Sequence, residues 1–217
     1  ENASRAISAL KADGKRYVDR VVEISVEGRA PKNDPAIFAL ALACKLGDDK
    51  TRKLAYDALP KVCRIGTHLF AFVEAIEGLG GWSRGARTAV ANWYNKMPIE
   101  KLGYQLAKYQ QRNGWSHKDL FRLAHPKTVN VERNSLYKWA VKGVIDENTK
   151  SQTIVGFERA KGAKNTSDLV KIISEYRLPH ECVPTEYKND PKVQEELLKH
   201  MPLEAMIRNL GNMSKSG

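Results

Sequence analysis

The sequence predicts an all-α fold of stacked helical pairs, an α-solenoid of HEAT-like helical repeats. Three observations lead there. Apolar residues recur at three- and four-residue spacing along most of the 217 residues, and β-type alternation is scarce. Start and stop signals mark helices of roughly ten to fifteen residues. The connectors are short, which favours neighbouring helices that pack against each other. The repeat is not visible as sequence identity, so the expectation rests on rhythm.

Each element has its own signals. Asp34-Pro35 opens a helix through Ala36 to Ala43 that stops at Gly47. Asp48 and Asp49 start the next, with Leu54, Ala58 and Val62 inward and an end by Gly66. Thr67 is placed to cap His68 to Ile76, and Gly78, Gly80 and Gly81 follow. Ser83 precedes a helix over Arg84 to Tyr94. Pro98 sits in the first turn of a helix over Ile99 to Gln111, and Asn113-Gly114 reads as its stop. Ser116 with Asp119 resembles a capping box, and that helix must finish near His125, before Pro126. Further helices are expected over 132–142, 146–161, 166–176, 190–200 and 202–210. The segments 128–131 and 178–189 are the least regular. No linker is long enough to divide the chain, so a single domain over residues 1–217 is expected.

Composition excludes several classes. With 42% hydrophobic and 28% charged residues the chain is not wholly disordered. Nothing approaches eighteen consecutive apolar residues, so no membrane span is expected. Cys44, Cys63 and Cys182 are too few and too scattered for a disulfide framework, and a reducing, cytoplasmic compartment is expected. Cys44 and Cys63 fall on apolar faces and read as core. Neither C-x-x-C nor H-E-x-x-H occurs, so no metal and no cofactor is assigned. The chain starts at Glu1 without an initiator Met, which reads as a cut end of a longer protein.

The net charge of +11 is uneven. Residues 81–143 hold twelve Lys and Arg against three acids, so +9 of the +11 lies in 63 residues. The same stretch holds nine of the seventeen aromatics. Cations interleaved with planar rings suit unpaired nucleic acid, where phosphates need charge and bases need stacking partners. Helical spacing orders part of this excess. In the helix after Pro98, Ile99, Leu102, Leu106 and Tyr109 form an apolar stripe, while Lys101, Gln105, Lys108 and Arg112 form a row of donors. In the helix after Ser116, Leu120, Leu123 and Ala124 face inward and Lys118, Arg122 and His125 form a second row. Lys108/Arg112 and Lys118/Arg122 repel within each pair, and few acids offset them. A plain solvated face would also be polar, but this density of unopposed cations favours an anion site. His117, beside Lys118, is a secondary candidate contact. Trp115 is a candidate stacking platform, and Arg84 and Arg87 are candidates to line a nucleic-acid path. His68 sits among Leu69, Phe70 and Phe72 and reads as a packed or loop-anchoring residue.

The run Lys108-Tyr109-Gln110-Gln111-Arg112-Asn113-Gly114-Trp115-Ser116-His117-Lys118-Asp119-Leu120-Phe121-Arg122-Leu123-Ala124-His125 closely resembles the Ro autoantigen family, the TROVE-domain proteins. Glu27-Gly28-Arg29-Ala30-Pro31-Lys32, the block from Ala58 to Phe70, Gly81-Trp82-Ser83-Arg84-Gly85, Ala89 to Tyr94, and Met201 to Gly211 are similar to family blocks in family order. The resemblance implies helical repeats that close into a ring in the full-length family. It implies binding of small noncoding Y RNAs on the outer surface and entry of single-stranded 3′ ends of misfolded RNAs into the ring. It implies roles in that outer binding for Lys108, Arg112 and His125, three residues the spacing also selects. The family usually continues into further repeats and a von Willebrand factor A-type domain with a D-x-S-x-S metal motif. No D-x-S-x-S occurs in this chain.

A non-enzymatic RNA-binding scaffold in RNA quality control, within a ribonucleoprotein, is therefore the leading expectation. A nuclease would need a general base or metal ligands beside the cations, and the basic stretch offers no acidic pair for them. No G-x-x-x-x-G-K-[ST] loop occurs either. A third reading is a helical protein-interaction scaffold that recruits an acidic partner such as an exoribonuclease subunit. It is compatible with the first, because solenoids present long surfaces.

Overall fold

The computed structural model describes residues 2–28, 32–203 and 206. Twelve α-helices and one two-stranded hairpin account for nearly all regular structure among them. The chain falls into two compact units, Glu1–Val144 and Ile145–Gly217. No long linker divides them: one helix ends at Lys142, and Gly143 closes it in the left-handed conformation.

The first unit opens with α1 (Asn2–Ala12), α2 (Gly14–Glu27), α3 (Asp34–Leu46), α4 (Asp49–Val62) and α5 (Gly66–Gly78). It continues with α6 (Arg84–Lys96), α7 (Ile99–Lys108), β1 (Gln111–Arg112), β2 (Trp115–Ser116), α8 (His117–Ala124) and α9 (Val131–Lys142). Helix α3 packs on α2, α4 and α5, and α4 packs on α6. Helix α6 packs on α8, and α9 on both α7 and α8. The core is apolar and closed: Ile37, Leu40, Leu59, Leu69, Phe70, Phe72, Trp93 and Leu102 are fully buried. Burying side chains of this size stabilises by about 1.5–3 kcal/mol each relative to exposure.

The caps explain most boundaries. Asp48 accepts from the Thr51 backbone N–H and Ser83 from that of Ala86, so α4 and α6 begin where the sequence places them. Helix α5 differs. Thr67 lies inside it, and its N-terminal Gly66 N–H donates to the Gln105 side chain, 2.8 Å away and buried. A residue on α7 thus caps α5 across 39 positions of sequence, which local spacing could not reveal.

The second unit holds α10 (Gln152–Lys161), α11 (Thr166–Tyr176) and α12 (Pro191–Lys199), each packed on the next in order. Helix α10 starts later than residue 146, because Asp146 instead turns back on itself. The Asn148 N–H donates to its side chain, and its own N–H donates to the Thr149 hydroxyl. The segment 178–189 forms two short 3₁₀ turns, His180–Cys182 and Thr185–Tyr187. The helix expected over 202–210 and the motif residues Arg29, Ala30, Pro31 and Glu204, Ala205 and 207–211 lie outside the described residues.

Candidate nucleic-acid interface

The basic stretch folds as α6, α7, the hairpin, α8 and α9. Helix α7 ends at Lys108, shorter than its expected span to Gln111. Gln111 and Arg112 instead pair antiparallel with Ser116 and Trp115. Asn113 (φ 54°) and Gly114 (φ 77°) form the two-residue loop between them. Two successive positive φ angles define the tight hairpin turn for which Asn-Gly is the strongest short signal. The dipeptide is a hairpin turn here rather than a helix stop.

That correction breaks the expected α7 row. Lys101 is exposed near the start of the helix, whereas Gln105 is buried and caps α5. Lys108 is half-buried. Its Nζ lies 5.4 Å and 5.2 Å from the ring centroids of Tyr104 and Tyr109 and donates to the Tyr104 hydroxyl at 3.1 Å. Both rings hold the ammonium by cation–π attraction and limit its rotamers. Arg112 is exposed on β1. Its charge reaches His68, whose pKa is lowered by burial first and by Arg64 and Arg112 as well. His68 is half-buried, with Nδ1 3.4 Å from the Asn33 amide nitrogen, a packed anchor as expected.

Of the α8 row, Lys118 and Arg122 stay on the helix one turn apart, and His125 follows the helix as its cap. Ser116 accepts from the Asp119 N–H, and Asp119 accepts from the Ser116 N–H, so the capping box fixes the first turn. The Ser116 hydroxyl and backbone hold the Asp119 carboxyl below its ordinary pKa. Leu120 and Phe121 are buried, and Lys118, Arg122 and His125 are all exposed. His125 ends the helix in the left-handed conformation (φ 48°). Because β2 runs directly into α8, the hairpin and the helix carry Arg112 and this row on one continuous unit.

His117 is corrected from a surface contact to a core residue, because it is only 3% exposed. Its Nδ1 lies 2.7 Å from the Tyr94 hydroxyl, and its ring sits 4.9 Å from that of Phe70. Burial pushes its pKa down to about 4, opposed by the backbone carbonyls of Tyr109 and Gln105. Those carbonyls fall short of hydrogen-bond geometry, and Nε2 has no partner among the described residues. His117 therefore acts as a neutral spacer between α6 and the end of α7. Trp115 is half-buried, and its ring meets that of Trp82 edge-on at 6.0 Å. Arg84 and Arg87 are exposed on α6. Arg133, one of the twelve cations, is structural: its guanidinium donates to the backbone carbonyls of Tyr94 at 2.7 Å and Met97 at 2.9 Å.

Among the described residues no ion pair engages Lys101, Arg112, Lys118, Arg122, Arg84 or Arg87. No group of three or more His, Cys, Asp or Glu side chains there could hold a metal ion. No described helix is long and apolar enough to cross a membrane. Cys44 and Cys63 are buried core thiols, and burial raises the pKa of both. The cluster that sequence reasoning missed is Lys45, Arg52 and Lys53 on α3 and α4, which lines a cavity with Arg84. The dense run Lys50, Arg52 and Lys53 was its signal, diluted by Asp48 and Asp49.

Together these features define a helical-repeat protein with a cation-rich hairpin–helix unit. The TROVE domain model matches residues 2–172. The chain belongs to the TROVE domain family. It is 40% identical over 192 residues to the RNA-binding protein RO60 of Deinococcus radiodurans, covering 87% of this chain and 36% of that one. It is 29% identical over 296 residues to the RNA-binding protein RO60 of Caenorhabditis elegans, with 100% of this chain and 46% of that one covered. The crystal structure of the Deinococcus radiodurans RO (RSR) protein superposes with a TM-score of 0.85 at 36% identity, covering 96% of this chain and 42% of that chain. The chain thus spans less than half the length of each of these relatives.

Proposed function

We propose that this chain is a non-catalytic RNA-binding scaffold. It binds small noncoding Y or Y-like RNAs through Arg112, Lys118, Arg122 and His125, with Lys108 beside them, and serves RNA quality control within a ribonucleoprotein. Single-stranded 3′ ends of misfolded RNAs are a second class of ligand in this reading. The observation that carries this reading is the exposed α8 row joined through the hairpin to Arg112, with no acid paired to any of its Lys or Arg side chains among the described residues. Like charges one helical turn apart, offset only in part by Asp119 between them, are retained at a small cost in stability, which a phosphate ligand offsets. Support also comes from the relatives, both named RNA-binding proteins.

The test is fluorescence anisotropy with a Y-like stem–loop RNA. Affinity falls steeply with salt, because each neutralised phosphate releases counterions. Lys108→Ala with Arg112→Ala, and separately His125→Ser, weaken binding while the protein stays folded by circular dichroism; the first loses a little stability with the Lys108–tyrosine contacts. Folded variants that bind the RNA normally would remove the site assignment. Specific RNA cleavage with Mg²⁺ would remove the non-catalytic reading.

A further inference from the structure

Helices α4 and α6 pack against each other, and with the end of α3 they enclose an open cavity of about 650 Å³. This lies within the range of about 300–1,000 Å³ typical of small-molecule sites. Its charged lining is four cations, Lys45, Arg52, Lys53 and Arg84, and two acids, Asp49 and Asp57. Lys45 donates to the Gly81 carbonyl at 2.6 Å. Arg52 pairs with Asp49, whose side chain is 92% exposed and turned toward solvent. Lys53 and Arg84 have no ion-pair partner among the described residues. None of these groups belongs to the hairpin–α8 unit.

The wall between them is preformed. The Tyr56 hydroxyl lies 3.3 Å from the Cys44 carbonyl and 2.9 Å from the Ser83 hydroxyl, which pins the ring. That ring lies so close to Gly85 that a Cβ there would come within 2.4 Å of it. Thr88 and Asn92 add neutral polar groups to the same lining. Cys44 stays a neutral thiol, because burial raises its pKa to about 12.

We infer that this α4–α6 cavity is a second anion site, built for a nucleotide carrying a phosphate monoester. The excess of two positive charges complements a monoester, which carries about −1.5 to −2 at pH 7. An Arg fork beside a Lys point charge suits its terminal oxygens. The volume exceeds what a bare anion needs and leaves room for the attached nucleoside beside Tyr56, Thr88 and Asn92. The monoester has two sources, a free mononucleotide or the phosphorylated end of an RNA. The second has a physical route, since Trp82, whose ring meets Trp115 of the hairpin, directly precedes Ser83 and Arg84.

Calorimetric titration of the chain with adenosine 5′-monophosphate, adenosine and inorganic phosphate tests the site. The monophosphate binds, adenosine does not, and phosphate binds more weakly than the monophosphate. Lys53→Ala with Arg84→Ala weakens the monophosphate by about tenfold or more, the loss of two charge-assisted contacts. Both side chains are exposed, so circular dichroism and the thermal midpoint stay as in the wild type. Lys118→Ala with Arg122→Ala leaves monophosphate binding unchanged, which separates this site from the proposed stem–loop interface. A short single-stranded RNA with a 5′ phosphate that outbinds its unphosphorylated form in the wild type, but not in the double variant, identifies an RNA end as the source. Equal binding of the two, with the monophosphate still bound, identifies the free nucleotide. Monophosphate bound no better than adenosine, or undiminished by Lys53→Ala with Arg84→Ala, overturns the inference. Failure of stem–loop binding alone would remove the proposed function and leave this site standing.

Discussion

The two cation rows of the basic stretch met different fates. On α8, Lys118 and Arg122 stand exposed one turn apart on the helix, and His125, exposed as well, follows as its left-handed cap. On α7, the row of Lys101, Gln105, Lys108 and Arg112 dissolves: one member is buried, one lies over two tyrosines, and one leaves the helix for a strand. Helical spacing predicts a shared side only while the helix lasts. The α8 row is bracketed by a capping box and a proline-limited end. The α7 row runs past its own helix into an Asn-Gly hairpin.

The largest expected effect tests what holds the two regions together. His117→Ala removes a buried ring between α6 and the end of α7, and costs about 3 kcal/mol by chemical denaturation. A loss under about 1 kcal/mol would mean that the hairpin does not depend on that contact. The same residue sets an acid limit. Its folded pKa of about 4 lies below the unfolded value, so the unfolded state takes up the proton first as pH falls. Stability is therefore full above about pH 6.5 and declines by up to about 3 kcal/mol as pH falls toward 4. His68 adds to the same trend, since its pKa is also lowered. His117→Phe should flatten the profile, and an unchanged profile would place the acid sensitivity elsewhere.

Next in size is the contrast between rows in RNA binding. Lys118→Ala with Arg122→Ala should weaken a stem–loop RNA about tenfold, whereas Lys101→Ala, far along α7 from the hairpin, should change affinity less than about twofold. Equal effects would mean that a diffuse basic surface is at work rather than the hairpin–helix unit. The smallest effect concerns the turn. Gly114→Ala forces a Cβ into φ 77° and should cost about 1 kcal/mol, with Arg112 losing its fixed position. No loss of stability or RNA affinity would show that the hairpin geometry is unimportant.

Much of the fold was legible because it is written locally. Asp48, Ser83 and Ser116 each cap the helix that follows, as their positions in the sequence suggest. What local reading missed depends on distant partners. Gln105 looks like a surface donor until Gly66 arrives from α5. His117 sits in a first turn beside a lysine, yet Tyr94 and Phe70 enclose it. Arg133 looks like part of the basic surface, but the open carbonyls at the end of α6 take its guanidinium. Lys45, Arg52 and Lys53 went unnoticed as neighbours of Arg84, because the four are gathered from α3, α4 and α6, which no sequence window spans.

The most direct test of the central claim is the salt dependence of stem–loop RNA affinity for the wild type and for Arg112→Ala with Lys118→Ala and Arg122→Ala. The account predicts weaker binding and a log–log salt slope shallower by about two to three, since three phosphate-neutralising cations are gone. A folded triple variant with the wild-type affinity and slope would contradict it.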